Sequence, residues 1–406
     1  MSHTLIRNIK TLVHAHSQRV NGLQMNDLPA TDNAFLLLEN DRIKDYGPSA
    51  NAPERADTVI NASGRFVLPA WCDSHTHLVF AGSREGEFAD RIGGLSYEEI
   101  AERGGGILNS ARRLQQTSEE ELTEQALRRL EEVRGYGTGL IEIKSGYGLT
   151  TESELKMLRV IQKLKAHTDL TVKATFLGAH TLPTEYRQNR RGYLRLLFEE
   201  MLPKIADEGL ADYIDVFCEK VAFTPGETAE IIEQGAKYGL HAKIHTNQFN
   251  SMGGIEVSTA HGAISVDHLE VINDAEINNL SRSNTIATLL PTAPFFLNDP
   301  FPPARRLLAA DLPVALATDF NPGSSPSGRM PFVLSLACIK MRMTPAEAVN
   351  AATVNGAAAL EADTDFGSIT RGKKANLIIT KPMPSLAYLP YAFGTDMTER
   401  VILEGK

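Results

Sequence analysis

Cysteine is scarce: Cys72, Cys218 and Cys338 are the only three in 406 residues. Their odd number, wide spacing and lack of a C-x-x-C pair exclude a disulfide framework and offer no thiolate zinc site. They are expected to behave as buried small apolar residues. Long apolar runs are missing as well. No window approaches the roughly 18 uncharged apolar residues of a membrane span. Residues 1–15 lack an apolar core of secretory type. The expected location is therefore the cytoplasm, with no membrane partner. Basic charge is not in excess: 41 Lys and Arg against 50 Asp and Glu leave a formal net charge of -9. That balance, spread along the chain, argues against nucleic acid as a partner. Internal repeats and low-complexity segments are also lacking. What is present is a folded globular chain, 42% hydrophobic, with length for one barrel-sized domain and a smaller companion.

The character of the chain changes near Gly64 and again near Phe366. Residues 1–65 hold short β-like runs (4–9, 34–38) separated by turns rich in Asn, Asp, Gly and Pro. The tail, 367–406, is similar, with its clearest strand at 375–380. Two β-rich ends predict one small composite β domain of sandwich type, built from both termini. Between them, residues 66–366 alternate short apolar runs with longer charged stretches of helical period, the pattern of βα units. Eight strand candidates stand out, at 67–73, 139–144, 171–177, 213–217, 242–245, 263–268, 285–290 and 314–318. Eight such units predict a closed TIM-type (β/α)8 barrel of the α/β class, with functional residues at the C-terminal ends of its strands.

Those ends carry the chemistry. The first strand closes in His75-Thr-His77, and residues two apart on a strand point the same way, so two imidazoles converge. The fifth ends in His245, the sixth in His268, and the eighth in Thr318-Asp319. Three histidines and a carboxylate make a nitrogen-and-oxygen metal site with room for water. The expected ligands are His75, His77, His245 and Asp319. They would hold one divalent or trivalent ion, zinc or iron, with manganese also compatible. His268 is then a neighbouring imidazole suited to proton transfer near neutral pH, with a fifth ligand or a structural hydrogen bond as the alternatives. A two-metal site would need a bridge. Glu219 after the fourth strand is one candidate, and Lys144 on the second is read as structural or as a loop contact.

Leu68-Pro-Ala-Trp-Cys-Asp-Ser-His-Thr-His77, the later single histidines, Thr318-Asp319 and the closing Gly367-Ser-Ile-Thr-Arg-Gly-Lys-Lys-Ala-Asn-Leu together resemble the amidohydrolase superfamily. The match spans the chain. Five further blocks resemble the imidazolonepropionase family within it: Val79-Phe-Ala-Gly-Ser-Arg-Glu85, Gly104-Gly-Gly-Ile107, Ile141-Glu-Ile-Lys-Ser-Gly-Tyr-Gly148, Phe176-Leu-Gly-Ala-His180 and Thr318-Asp-Phe-Asn-Pro-Gly-Ser-Ser325. The resemblance implies hydrolysis of a small molecule, 4-imidazolone-5-propanoate, to N-formimidoyl-L-glutamate. It also implies a homodimer.

By that resemblance Arg84 meets the substrate's propionate, an Arg fork being suited to a carboxylate. Tyr147 and His180 hold the ring, His180 by polarising its carbonyl as charge develops. Gln248, Asn321, Gly323 and Ser324 complete the pocket. His268 and Asp319 accept the water proton, and Asp319 passes it to the departing nitrogen. Some relatives carry glutamate where this chain has Gln248, which cannot relay a proton, so Gln248 is assigned to binding alone. A deaminase of a purine, pyrimidine or related heterocycle would share the metal ligands and the sixth-strand histidine. It has no general need of Arg84 or the Tyr147 loop, and would release ammonia. A barrel that only binds predicts missing ligands, whereas all four are present.

Overall fold

The computed structural model describes residues 2–95, 99 and 105–406; Gly104, the first residue of one family-like block, lies outside them. Two sheets organise the chain. Strands β6 (Trp71–Asp73), β7 (Thr138–Lys144), β8 (Thr171–Ala179), β9 (Tyr213–Cys218), β10 (His241–Thr246), β11 (Ser265–His268), β12 (Ile286–Leu289) and β13 (Val314–Leu316) form an eight-stranded parallel sheet in chain order. Nearly every residue of these strands is buried, as expected where helices cover one face and the barrel lumen the other. The covering helices start on chemical signals visible in the sequence. Thr224 and Glu227 cap the helix Pro225–Ala236 reciprocally, and Asn273 and Glu276 do the same for Asp274–Leu280.

The terminal segments build a seven-stranded sheet, in the order β15 (Thr398–Ile402), β14 (Leu377–Thr380), β5 (Phe66–Pro69), β1 (His3–Val13), β2 (Ala30–Glu39) and β3 (Arg42–Pro48), with β4 (Thr58–Asn61) beside β1. One expected strand divides between the two sheets. The run 67–73 is β5 in the terminal sheet and β6 in the barrel. The backbone changes allegiance within one residue: Ala70 N donates to Asn376 O, and Trp71 N to Gly137 O, both at 2.9 Å. Pro69, which has no N–H to give a ladder, sits at that break. The other seven strand expectations agree with the observed strands to within a few residues. Cys72 and Cys218 are buried as expected, whereas Cys338 is only half-buried on the helix Met330–Met341.

The barrel closes where β6 and β13 run on past their ends. Thr76 and Phe320 pair in parallel fashion; His77 N donates to Phe320 O at 2.9 Å and Asp319 N to His75 O at 3.0 Å. Just below, the buried carboxylate of Asp73 accepts from Thr318 N at 3.0 Å and from Thr318 Oγ1 at 2.7 Å. This seam sets His75, His77 and Asp319 side by side. Removing the Asp73 carboxylate strands two buried donors, each costing about 1–3 kcal/mol. We expect Asp73→Ala to lower unfolding free energy by about 2–4 kcal/mol in urea titration. An unchanged midpoint would mean that the seam is held elsewhere.

Candidate metal centre and its cavity

The expected ligands come together at the C-terminal end of the barrel. One nitrogen each from His75, His77 and His245 lies within 4.8 Å of the others, and a second group joins His75, His268 and Asp319 on the same criterion. His77 Nε2 is 3.2 Å from His245 Nε2, and Asp319 Oδ1 is 3.5 Å from His77 Nε2 and 3.7 Å from His75 Nε2. His75 is fully buried, and its Nε2 has no hydrogen-bond partner among the described residues. Inward-facing nitrogens and one carboxylate oxygen, crowded together in a buried site, are a donor set that fits a cation.

What aims these nitrogens lies one layer deeper in the barrel. His75 Nδ1 is 2.6 Å from Asp267 Oδ2. A carboxylate only accepts, so Nδ1 carries the hydrogen and Nε2 keeps its lone pair. Asp267 Oδ1 accepts from Ser265 Oγ at 2.6 Å, and Ser265 Oγ from the buried Lys243 Nζ at 2.9 Å. His245 Nδ1 lies 2.8 Å from Asp215 Oδ2, which is also 2.8 Å from Lys144 Nζ; Lys144 in turn donates to Glu142 at 2.8 Å. Burial works against the Lys144 ammonium, but Asp215 and Glu142 outweigh it and raise its pKa. Burial holds His75, His77 and His245 well below the usual histidine range, so each ring is neutral and able to ligate. Lys144 is thus structural, acting on a ligand through Asp215.

His268 and Asp319 are tuned differently. Burial pulls the His268 imidazolium down, but Glu270, 3.3 Å from its Nδ1, outweighs burial and the ring is pushed up to about 9. Burial pushes the Asp319 carboxyl up to about 7, against the charge of His268. Both residues hold positive φ, 93° and 52°, a conformation uncommon for residues other than glycine. Each turns the chain sharply at a strand end. Asp319 Oδ1 faces the histidines while Oδ2 is 3.5 Å from Ser324 Oγ.

A cavity of about 550 Å³ opens above this floor. Its walls include His77, His245, His268 and Asp319 together with Arg84, Tyr147, His180, Gln248, Asn321, Gly323 and Ser324, so every site residue expected from the sequence except the deeper His75 lines it. Arg84 donates through Nε and Nη2 to Glu87 Oε2, at 2.9 and 2.5 Å, which leaves Nη1 over Gly323, where any Cβ would overlap it. Asn321 Oδ1 accepts from Gly323 N and Ser324 N, both at 2.8 Å, and shapes that loop. Glu154 accepts from the N–H groups of Gly146, Gly148 and Leu149 and sets the turn carrying Tyr147; a Cβ on Gly148 would overlap the Glu154 backbone.

Two expectations change. Glu219 is no metal bridge: its carboxylate is occupied by Phe249 N, Asn250 N and Asn250 Nδ2 at 2.9–3.0 Å, anchoring the loop after β10. His180 is lowered to about 4 by burial, and its Nδ1 is 3.0 Å from Gly146 O. A carbonyl only accepts, so the neutral ring presents an accepting Nε2 and cannot polarise a substrate carbonyl as it stands. Asp215, Asp267, Glu270 and Lys243 were not singled out from the sequence, and Lys144 was read there only as structural or as a loop contact. Their signal was charge recurring two residues apart on strands otherwise apolar, as in Glu142/Lys144 and Lys243/His245.

The sequence pattern of the amidohydrolase family matches residues 66–406. The chain is 57% identical to an imidazolonepropionase of Christiangramia forsetii, covering 99% of each chain. It is 42% identical to one of Geobacillus thermodenitrificans, covering 98% of this chain and 96% of that one. Among solved structures, a triazine hydrolase variant superposes with a TM-score of 0.78 at 17% identity, covering 99% of this chain and 94% of that one. An Escherichia coli guanine deaminase gives 0.75 at 15%, covering 100% and 99%. These two likenesses speak for the fold.

The Asp267–His75 contact can be probed directly. In Asp267→Asn the amide can donate to Nδ1 and drive the hydrogen to Nε2, which then cannot ligate. We expect metal affinity, read by competition with a chelator, to fall about 10–100-fold with the melting transition retained; unaltered affinity would show that Asp267 does not set the tautomer.

Proposed function

The chain belongs to the amidohydrolase family and, within it, to the imidazolonepropionases; from that premise we infer how it hydrolyses 4-imidazolone-5-propanoate to N-formimidoyl-L-glutamate. The observation that carries the reading is the convergence of three imidazole nitrogens, from His75, His77 and His245, and one Asp319 oxygen on the floor of a cavity whose wall presents a guanidinium, Arg84. Hydrolysis adds a water oxygen to the ring carbonyl carbon, breaks that carbon's bond to the ring nitrogen, and leaves a carboxylate and an N–H. His75, His77, His245 and Asp319 would hold one ion, zinc or iron. When bound, such an ion supplies Lewis-acid activation of water, whose pKa falls from 15.7 to about 7 on coordination.

The chain's own residues divide the remaining work. Arg84, oriented by Glu87, offers Nη1 to the propionate. His180 accepts a hydrogen bond from a ring N–H, and Tyr147, Gln248, Asn321, Gly323 and Ser324 confine the ring. Asp319, or His268 once its ring has lost its own proton, takes the water's proton. Asp319 suits the transfer onward because its Oδ2 faces the cavity side, near Ser324, while Oδ1 faces the ligands. A homodimer and a cytoplasmic location belong to the same proposal, as does the division into a terminal domain and a barrel, with Phe66–Pro69 moved from the expected barrel of 66–366 to the terminal sheet of 1–65 and 367–406.

Freshly prepared substrate, followed by ring absorbance and product mass, tests the reaction; ammonia release in place of N-formimidoylglutamate would redirect it to deamination. We expect His245→Ala to lose metal and activity together. Arg84→Ala should keep its metal and raise KM about tenfold or more, and equal metal loss in both variants would remove Arg84 from the binding role. The pH profile reports on His268. Glu270 raises that ring's pKa, so Glu270→Gln lowers it. The acid limb of kcat/KM, where the ring must lose its proton to act as base, should then move to lower pH by about one unit or more. A limb that stays in place would assign the titration to another group.

A further inference from the structure

A second arginine reaches the same cavity. Arg91 lies in the last turn of the helix Glu85–Ile92, seven residues beyond Arg84. Seven residues are two helical turns, about 10 Å of rise, so both side chains emerge on one face, and both line the cavity. Between them Phe88 packs on Phe296 with ring centroids 5.3 Å apart, and the Arg91 guanidinium carbon sits 5.6 Å from the centroid of the same Phe296 ring. At that distance the ring gives the guanidinium a cation–π contact. Its Nη1 is buried, yet it meets no hydrogen-bond acceptor among the described residues; Asp299, on the same wall, does not bond to that nitrogen. A guanidinium on the cavity wall with one N–H that meets no acceptor among the described residues is a position that a carboxylate entering the cavity completes once the side chain turns toward it.

The reaction proposed above changes the number of anions in the cavity. Its substrate brings one carboxylate and its product leaves with two. We propose that Arg91 is a second carboxylate position, holding one carboxylate of the dicarboxylate product while Arg84 holds the other. The inference rests on the hydrolytic reading for its natural ligand, but its geometry is independent of turnover. It gives Arg91 a specificity role separate from the metal floor: the cavity distinguishes a five-carbon diacid from the corresponding monoacid at its mouth.

Glutarate and its monoamide, glutaramate, test this by calorimetric titration of the metal-loaded protein, since they match in length and differ by one charge. We expect the wild-type chain to prefer glutarate roughly tenfold or more, and Arg91→Met to bring that preference down at least about fivefold with metal content unchanged. Arg91→Gln, which keeps a polar head and loses the charge, gives the same reading should the Met variant fold poorly. An undiminished preference in the variants, or none in the wild type, would overturn the proposal. Neither probe is hydrolysed as an imidazolone. A chain that prefers glutarate yet fails to open the imidazolone ring would therefore keep the Arg91 position and lose the proposed reaction instead.

Discussion

The site depends on two close contacts that never reach solvent: the hydrogen bond of His75 Nδ1 to Asp267, and the 2.8 Å approach of Asp215 Oδ2 to His245 Nδ1. An imidazole has two nitrogens and, when neutral, one hydrogen. Only if that hydrogen is drawn outward does a lone pair face the centre. The carboxylates do this, and the fold then has to tolerate two buried anions. It does so with Lys144 and Lys243, both fully buried, which are linked to Asp215 directly and to Asp267 through Ser265. Buried ion pairs are weak sources of stability. Their presence here is better explained by orientation of the ligands than by strength of the fold.

Geometry of the barrel makes the arrangement possible. Charged groups on alternate strand positions point into the lumen, so Glu142 and Lys144, or Lys243 and His245, stack at successive levels of one interior column. In the proposed reading the upper level ligates and the lower level steers. Closure between β6 and β13 then adds the carboxylate. Because Asp319 N is bonded to His75 O, the oxygen ligand arrives beside the histidines through the same backbone contact that shuts the barrel. Stability of the seam and integrity of the site are one property.

Much of this was legible in the sequence. Eight strands and the five side chains crowded at their ends could be placed without coordinates, because strand periodicity and the barrel rule act locally; the residues of the cavity wall came from resemblance to the family instead. What escaped was pairing across long separations. His75 and Asp267 are 192 residues apart, and neither strand says which neighbour its charge will meet. The split of 67–73 was missed although Pro69 marked it, since an unbroken apolar run outweighs one proline in a periodicity reading. Glu219 had the right residue type at a strand end, and only the positions of Phe249 N and Asn250 N assign it to a loop. The accepting face of His180 follows from a carbonyl, Gly146 O, that no pattern announces.

The same fold carries proteins described as triazine hydrolase and guanine deaminase at 15–17% identity, so the barrel by itself does not choose a substrate. Selection falls to groups added above the floor. Glu87 ties them together: one oxygen holds Arg84, while the other accepts from Gly106 N at 3.1 Å and from Asn109 Nδ2 at 3.4 Å. Burial opposes its charge, yet Arg84 and the Gly106 N–H outweigh that and keep its carboxyl below the ordinary glutamate range. The helix Glu85–Ile92 and the start of the helix Ile107–Gln116 are therefore linked through one ionised side chain. An anionic group entering the cavity meets a guanidinium already turned by Glu87, with Nη1 beside a Gly323 whose missing side chain leaves room for it. Orientation settled before binding costs the substrate less ordering when it arrives, and under the proposed function that is how a floor of general chemistry is directed to a ring bearing a carboxylate.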